Sequence, residues 1–141
     1  DKPFDADTPS DEASIERSTY DECIDYICSD MEKAAEFLPD SRTQQFQYIA
    51  SKGAALAVIS RLRLYAASPW YNGNTRYADW KTADGRNFIS QNNDNSKWGV
   101  AAVAAKRIID MGKYALYTTA RTERTQELPS NISQAGFPDG R

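Results

Sequence analysis

The fold is decided by one apolar stretch, Lys52-Gly53-Ala54-Ala55-Leu56-Ala57-Val58-Ile59. Small and hydrophobic side chains cover nearly every side of this segment when it is drawn as a helix, which is typical of an inner helix that neighbours enclose. The helix is predicted to cover residues 50–67, because Pro69 cannot continue it. Gly53 costs about 1 kcal/mol relative to Ala inside a helix, and we expect close packing against a neighbouring element to offset that cost.

A second helix is predicted upstream, over residues 18–38. Its apolar side chains recur every three or four residues, so they form one buried face. Thr19 with Glu22, or Ser18 with Asp21, can satisfy the free backbone N–H groups of its first turn, and a proline follows its last turn. The connection to the inner helix is short, which predicts that these two helices pack antiparallel.

A third helix is predicted over residues 96–112. It begins with Asp94 or Ser96 as its cap and ends at Gly112, which accepts the left-handed conformation of a helix terminator. The chain is therefore predicted to be all-α. Large aromatic side chains on or beside the packing faces are expected to belong to the core, namely Trp98, Tyr20, Tyr65 and Tyr114.

The two ends of the chain lack a helical pattern. Residues 1–17 are rich in Asp, Pro and Ser and are predicted to form an extended arm, and residues 118–141 are predicted to be irregular. The helical region covers residues 18–117, with a long inter-helix loop at 69–95. We expect the chain to be a piece of a longer protein, because its opening residues are typical of the middle of a protein and include no signal segment.

The composition argues against several classes of function. A formal net charge of -3 with scattered cations argues against a nucleic-acid partner, and no apolar run approaches the roughly 20 residues that span a bilayer. The sequence has no histidine, which removes Ser-His-Asp catalysis and most zinc sites. Cys23 and Cys28 are expected to be small buried groups that form no disulfide. We predict no catalytic residue, no metal and no cofactor.

The long loop at 69–95 holds the candidate binding residues. Loops of this length are uncommon and often functional, and Asn72-Gly73 and Asp84-Gly85 predict turns within it. Aromatic rings can stack on the apolar faces of sugars, and side-chain amides can bond sugar hydroxyls. The candidate ligand-binding residues are Trp70, Tyr71, Asn72, Asn74, Tyr77 and Trp80. The alternative is that these rings fasten the loop onto the helices by burying their area there.

The second and third helices carry the pattern of a known family. The residues that carry it are Lys52-Gly53-Ala54-Ala55-Leu56-Ala57, Arg61-Leu62-Arg63-Leu64-Tyr65-Ala66-Ala67-Ser68-Pro69, Tyr71-Asn72-Gly73, Lys97-Trp98 and Gly112-Lys113-Tyr114-Ala115-Leu116-Tyr117. In this order and spacing they resemble the SusD/RagB family, over roughly residues 18–117. The resemblance implies a tetratricopeptide-like helical repeat with long irregular loops. A proline after small residues fits such a repeat, although Arg61 stands where the repeat carries a large aromatic residue.

The same resemblance implies a function. Members of this family are surface-exposed lipoproteins of the outer membrane that capture oligosaccharides or other nutrients, and their partner is a TonB-dependent transporter of the SusC type. The lipid anchor would lie outside this chain, and the loop rings could then contact the transporter instead of the ligand. Two other functions are considered. A helical-repeat scaffold for peptides or proteins would carry a polar groove along its helices, and an enzyme domain is disfavoured by the missing histidine.

Overall fold

The computed structural model describes residues 7–9 and 15–116 of the 141-residue chain. Its α-helices are α1 (Tyr20–Phe37), α2 (Lys52–Ala67) and α3 (Ser96–Asp110). Within the described ranges the β-type pairing is confined to isolated bridges, so the all-α prediction is confirmed. Each helix boundary lies within two residues of its predicted position. The predicted irregular segment 118–141 lies outside the described residues, as does most of the predicted arm 1–17.

Helix α1 is fixed at its start by a reciprocal cap. The Thr19 side chain accepts a hydrogen bond from the Glu22 N–H, and the Glu22 carboxylate accepts one from the Thr19 N–H at 2.8 Å. These bonds satisfy two N–H groups that lack partners within the helix. Of the two cap pairs that the sequence allows, the structure therefore contains Thr19 with Glu22.

The second helix runs antiparallel to the first, as predicted. The Lys52 N–H, at the start of α2, donates to the carbonyl of Pro39 just beyond the end of α1, at 3.0 Å. Towards the other end of α2, the Arg63 guanidinium pairs with Asp25 in the first half of α1 at 2.6 Å. A fourteen-residue connection, residues 38–51, links the two helices and contains a 3-10 turn at Gln44–Phe46.

Helix α3 packs against α2 and runs parallel to α1. Its first turn is tied to the first turn of α1 by Lys97, whose Nζ lies 2.7 Å from Asp21, and its last turn is tied to α1 by Arg107, which pairs with Glu32. The helix ends before Gly112, whose φ of 61° confirms the predicted left-handed terminator. Helix α2 thus packs against both of the other helices, as an inner helix should.

The core at the centre of these contacts is small and rich in alanine. Its buried members are Ile24, Cys28, Ala35, Ala55, Leu56, Ile59, Ala66 and Ala104. Short side chains let helix backbones approach closely, and Gly53 extends this pattern to the start of α2. A β-carbon on Gly53 would lie 1.9 Å from the Tyr114 hydroxyl oxygen, so the absence of a side chain makes room for the segment that follows α3.

Several expected core residues lie elsewhere. Trp98 is 46% exposed, and Tyr65 and Tyr114 are exposed as well, so their assignment to the core is wrong. In α3 the contact is carried by small alanines, and the large Trp98 ring one turn earlier extends beyond it. Cys23 is exposed because it precedes the buried stripe of α1 by one position, whereas Cys28 is buried and both thiols are free.

Candidate functional site

The loop between α2 and α3 folds back onto the first turn of α1. The Tyr20 N–H donates to the Phe88 carbonyl oxygen at 2.8 Å, and the Arg86 guanidinium pairs with the Glu22 carboxylate. The pKa of Glu22 is lowered from its ordinary value, first by the hydrogen bond from the Thr19 N–H and then by Arg86. The capped end of α1 therefore serves as the base on which this loop is held.

The loop and the start of α1 enclose an aromatic cavity of about 470 Å³. This volume lies within the range of roughly 300–1,000 Å³ that is usual for small-molecule sites. We call it the aromatic cavity and define it by the residues that line it: Arg17, Ser18, Tyr20, Cys23, Trp70, Tyr71, Tyr77, Trp80, Phe88 and Ile89.

The rings of the aromatic cavity are arranged in two groups. Tyr20 and Tyr71 stack face to face, with ring centroids 4.0 Å apart and an interplanar angle of 4°. Trp80 packs on Phe88 at 4.9 Å with its plane tilted by 46°, and Tyr77 meets Trp80 at 6.2 Å. Tyr20 belongs to α1 and the other four rings belong to the loop, so both segments must fold before the cavity exists.

Exposure differs sharply between these rings. Tyr20 and Tyr71 are half-buried, and burial raises the pKa of Tyr20 to about 12, with a smaller contribution from Tyr71. Trp70 is 61% exposed and Trp80 is 45% exposed. Large aromatic surface that remains open to solvent beside a preformed cavity is the usual composition of a ligand-binding site.

The structure brings the four aromatic candidates together in one cavity, whereas the two candidate amides form hydrogen bonds within the protein. Trp70, Tyr71, Tyr77 and Trp80 all line the aromatic cavity. Asn72 is 4% exposed. Its side-chain nitrogen donates to Asn93 Oδ1 at 3.0 Å and to the Asp94 carbonyl at 2.9 Å, and its oxygen accepts from the Asp94 N–H at 2.9 Å. Asn72 thus joins the two ends of the loop, and its polar atoms are occupied within the protein.

Asn74 also forms its hydrogen bonds within the loop. Its Nδ2 donates to the Trp70 carbonyl at 3.0 Å, and its Oδ1 accepts from the Arg76 N–H at 3.0 Å. These bonds shape the 3-10 turn at Thr75–Tyr77. Asn74 nevertheless lines a shallow second cavity of about 370 Å³ together with Pro69, Trp70 and Arg76. Trp70 therefore lines both cavities.

The sequence alone did not identify six of the ten residues that line the aromatic cavity. Four of them lie in α1 or just before it, far along the chain from the loop: Arg17, Ser18, Tyr20 and Cys23. Tyr20 lies on the apolar stripe of its helix, which predicts a core position, and the residues around it carry no ligand-binding motif. The signal that could have found them is the capping pair at Thr19 and Glu22, because a fixed helix start is a suitable base for a loop.

A groove of about 280 Å³ lies between α1 and α3, and we call it the charged groove. Its charged residues pair with one another across the helices. The Arg63 guanidinium lies 2.6 Å from Asp25, and Arg107 Nη2 lies 2.7 Å from Glu32 Oε2 in a two-pronged pair. The hydrogen bond from Arg107 lowers the pKa of Glu32, with burial acting in the opposite direction.

Clustered metal ligands and long apolar helices are both absent from the described residues. Residues 7–9 and 15–116 contain no group of three or more His, Cys, Asp or Glu side chains arranged to hold a metal ion. In the same ranges, no helix combines the length and the apolar character that a bilayer crossing requires.

Comparison with known proteins identifies relatives of this architecture. A family model named SusD-like and described as "Starch-binding associating with outer membrane" matches residues 1–64. No curated protein matches the chain. Among solved structures, BT4246, a SusD-like protein of Bacteroides, superposes with a TM-score of 0.76 at 32% sequence identity, over 92% of this chain and 23% of its own length.

A second structure supports the same relationship. Selenomethionine BT4246 gives a TM-score of 0.71 at 30% identity, and the match covers 88% of this chain and 22% of that protein. The chain thus spans less than a quarter of the length of these structures, and the match extends across its helices and its long loop.

Proposed function

Because the chain belongs to the SusD-like family, we propose that its aromatic cavity forms part of the saccharide-binding surface of an outer-membrane protein. The observation that carries this proposal is the set of exposed rings, Trp70, Tyr77 and Trp80, around a preformed cavity of about 470 Å³. Aromatic faces stack on the C–H faces of sugar rings, and rings such as Tyr77 and Trp80 that already contact each other lose little conformational entropy when a ligand binds.

The rest of the proposal concerns the longer protein. We propose that this longer protein is a surface-exposed lipoprotein that captures oligosaccharides or other nutrients and delivers them to a TonB-dependent transporter of the SusC type. Co-purification of the complete gene product with a barrel transporter from the outer membrane would test this partnership. Recovery of the protein without any transporter from gently solubilised outer membranes would contradict it.

Catalysis is not part of this proposal. The paired acids of the helices are engaged with cations, as Asp25 is with Arg63 and Glu32 with Arg107, whereas a glycosidase needs two carboxylates that flank the bound sugar. We expect saccharides to be recovered intact after prolonged incubation with the protein. Chromatographic detection of shortened products, absent from a boiled control, would overturn this expectation.

A peptide-binding scaffold would require a polar groove whose groups are free to bind a partner. The charged groove is the nearest equivalent in the described part of the chain, and its Arg and acidic side chains bind each other. The aromatic cavity is therefore the better candidate.

The direct test compares two exposed tryptophans in the complete gene product that contains this sequence. Trp70→Ala removes a cavity ring, and we expect saccharide binding to weaken by about tenfold or more, equivalent to about 1.4 kcal/mol, without a change in the melting temperature. Trp98→Ala is the matched control, because Trp98 is also exposed but lies on α3 and lines neither the aromatic cavity nor the charged groove. Equal binding by all three proteins would reject the cavity as the site.

A further inference from the structure

We propose that the aromatic cavity selects anionic saccharides, whose carboxylate or sulfate group is bound by the Arg17 guanidinium. This inference rests on the saccharide-binding function proposed above and names the class of ligand. It starts from one observation: among the described residues that line the aromatic cavity, Arg17 is the one charged side chain.

The position of Arg17 is set by the rings beneath it. Its guanidinium carbon lies 5.6 Å from the Trp80 ring centroid and 6.0 Å from that of Phe88. Both distances allow an attractive interaction between the cation and the ring faces. A guanidinium that stacks on a ring keeps its N–H groups in its own plane, where they remain available to donate. Arg17 thus lies over two rings of the cavity, and its planar N–H groups can donate to a ligand.

Arg17 also has no acidic partner in the described part of the chain, where its guanidinium contacts the Trp80 and Phe88 rings. Other arginines that contact α1 are paired: Arg63 with Asp25, Arg86 with Glu22 and Arg107 with Glu32. An arginine that is already paired with a carboxylate is less available to bind another anion, so Arg17 differs in this respect from the three paired arginines.

Three acids of α1 and the loop are engaged by other cations. Asp21 accepts from Lys97 at 2.7 Å, Glu22 pairs with Arg86, and Asp84 lies 2.7 Å from the Nε of Arg86. Glu16 and Asp79 are exposed neighbours in sequence of Arg17 and Trp80, and neither lines the cavity. A ligand anion would therefore meet no competing carboxylate among the described lining residues.

The remaining polar groups of the aromatic cavity suit an anion as well. Ser18 carries a hydroxyl that can donate, and the Tyr20 hydroxyl, which is protonated at neutral pH as in any tyrosine, can donate as well. The planar fork of Arg17 matches the geometry of a carboxylate or sulfate, which can accept two parallel N–H bonds. Starch, which the family description names, is neutral and would leave this donor set without its best acceptor.

The test measures binding of matched neutral and anionic polysaccharides to the complete gene product by titration calorimetry. Polygalacturonate is compared with its methyl ester, in which the same backbone has lost its charge, and dextran sulfate is compared with dextran. Amylopectin serves as the neutral reference. We expect at least one anionic member to bind about tenfold or more tightly than its neutral counterpart, with an affinity that falls as salt is raised.

Variants then assign the preference to one side chain. Arg17→Gln should abolish the difference between the charged and neutral members of a pair, and Arg17→Lys should restore part of it. Arg61→Gln is the matched control, because Arg61 is an exposed arginine of α2 that lines neither the aromatic cavity nor the charged groove. Thermal melts of each variant confirm that the fold is retained.

The outcomes separate this inference from the function on which it rests. Neutral polysaccharides that bind as tightly as anionic ones, or a charge preference that survives in Arg17→Gln, would overturn the inference and leave saccharide binding in place. An anionic preference lost equally in Arg61→Gln would also overturn it. Failure of every polysaccharide to bind would reject saccharide binding itself, and the inference with it.

Discussion

The aromatic cavity and the charged groove share helix α1 but use their charges in opposite ways. In the charged groove, Asp25 and Glu32 are each held by an arginine from another helix, so these groups stabilise the packing and have little capacity left for a ligand. In the aromatic cavity, Arg17 rests on two rings without an acidic partner in the described residues. The difference shows that a cavity's chemistry depends less on which residues line it than on whether those residues already bind one another.

This comparison divides the molecule into groups that stabilise the fold and groups that are free to bind. Substitutions of the first kind should change the free energy of unfolding and leave saccharide binding unaltered. Substitutions of the second kind should do the reverse. A substitution that lowered both the free energy of unfolding and saccharide binding would contradict this division.

The largest effect on stability is expected for Asn72→Ala. The change removes the buried amide that joins the two ends of the loop, and it leaves the Asp94 N–H and carbonyl without their partner. Unsatisfied buried groups cost about 1–3 kcal/mol each, so we expect the free energy of unfolding to fall by about 2–3 kcal/mol in urea titrations. Asn74→Ala, at the more exposed amide of the same loop, is the control and should cost about 1 kcal/mol or less. Equal losses would contradict the distinction between these two residues.

A smaller loss is expected when the small-residue packing of α2 is disturbed. Gly53→Leu places a side chain where the Tyr114 ring now lies, and overpacking of this kind costs about 1–3 kcal/mol. Chemical denaturation measures the effect.

The partner of Gly53 can be identified by a double-mutant cycle. In a Tyr114→Ala background, Gly53→Ala should become stabilising by up to about 1 kcal/mol, because the helix gains Ala in place of Gly and the Tyr114 ring atoms that the new β-carbon would meet are gone. An identical effect of Gly53→Ala in both backgrounds would mean that the Tyr114 ring imposes no constraint.

The smallest effect is expected in the charged groove. Glu32→Gln should cost about 0.5–1 kcal/mol, since the pair with Arg107 is partly exposed to solvent. The folded-state pKa of Glu32 lies below its ordinary value of 4.5. The pair therefore contributes fully above about pH 4.5, and its contribution is lost as the pH falls through the lowered pKa. Urea titrations at pH 7 and pH 3 should show that wild type and variant differ less in their free energy of unfolding at pH 3 than at pH 7. Saccharide binding at pH 7 should be unchanged.

The sequence predicted the helices more successfully than the site, for physical reasons that particular residues illustrate. Helix α1 has a cap at Thr19, apolar side chains that recur every three or four residues, and a proline just after its end. All of these are local features of the sequence. Trp98 and Cys23 were misassigned because hydrophobicity alone does not say how far a neighbouring helix extends.

The site depends on contacts that sequence spacing does not reveal. The rings of the loop were predicted to be candidates from composition, and the structure brings Trp70, Tyr71, Tyr77 and Trp80 to one cavity. The part played by Arg17 and Tyr20 follows from the loop folding back across more than fifty residues of chain. Asn72 illustrates the converse, because an amide suited to a sugar is equally suited to the backbone of its own loop.

The most direct test of the aromatic cavity as the binding surface uses its own cysteine. Cys23 lines the cavity and is exposed, whereas Cys28 is 2% exposed and burial raises the pKa of its thiol, so alkylation should occur first at Cys23. We would measure the alkylation rate at each thiol by mass spectrometry while titrating a saccharide that calorimetry shows to bind. The account predicts that Cys23 modification slows in proportion to occupancy, and that Trp70→Ala shifts this protection to higher ligand concentrations. An unchanged Cys23 rate at saturating ligand would show that the saccharide binds elsewhere on the protein and would contradict the account.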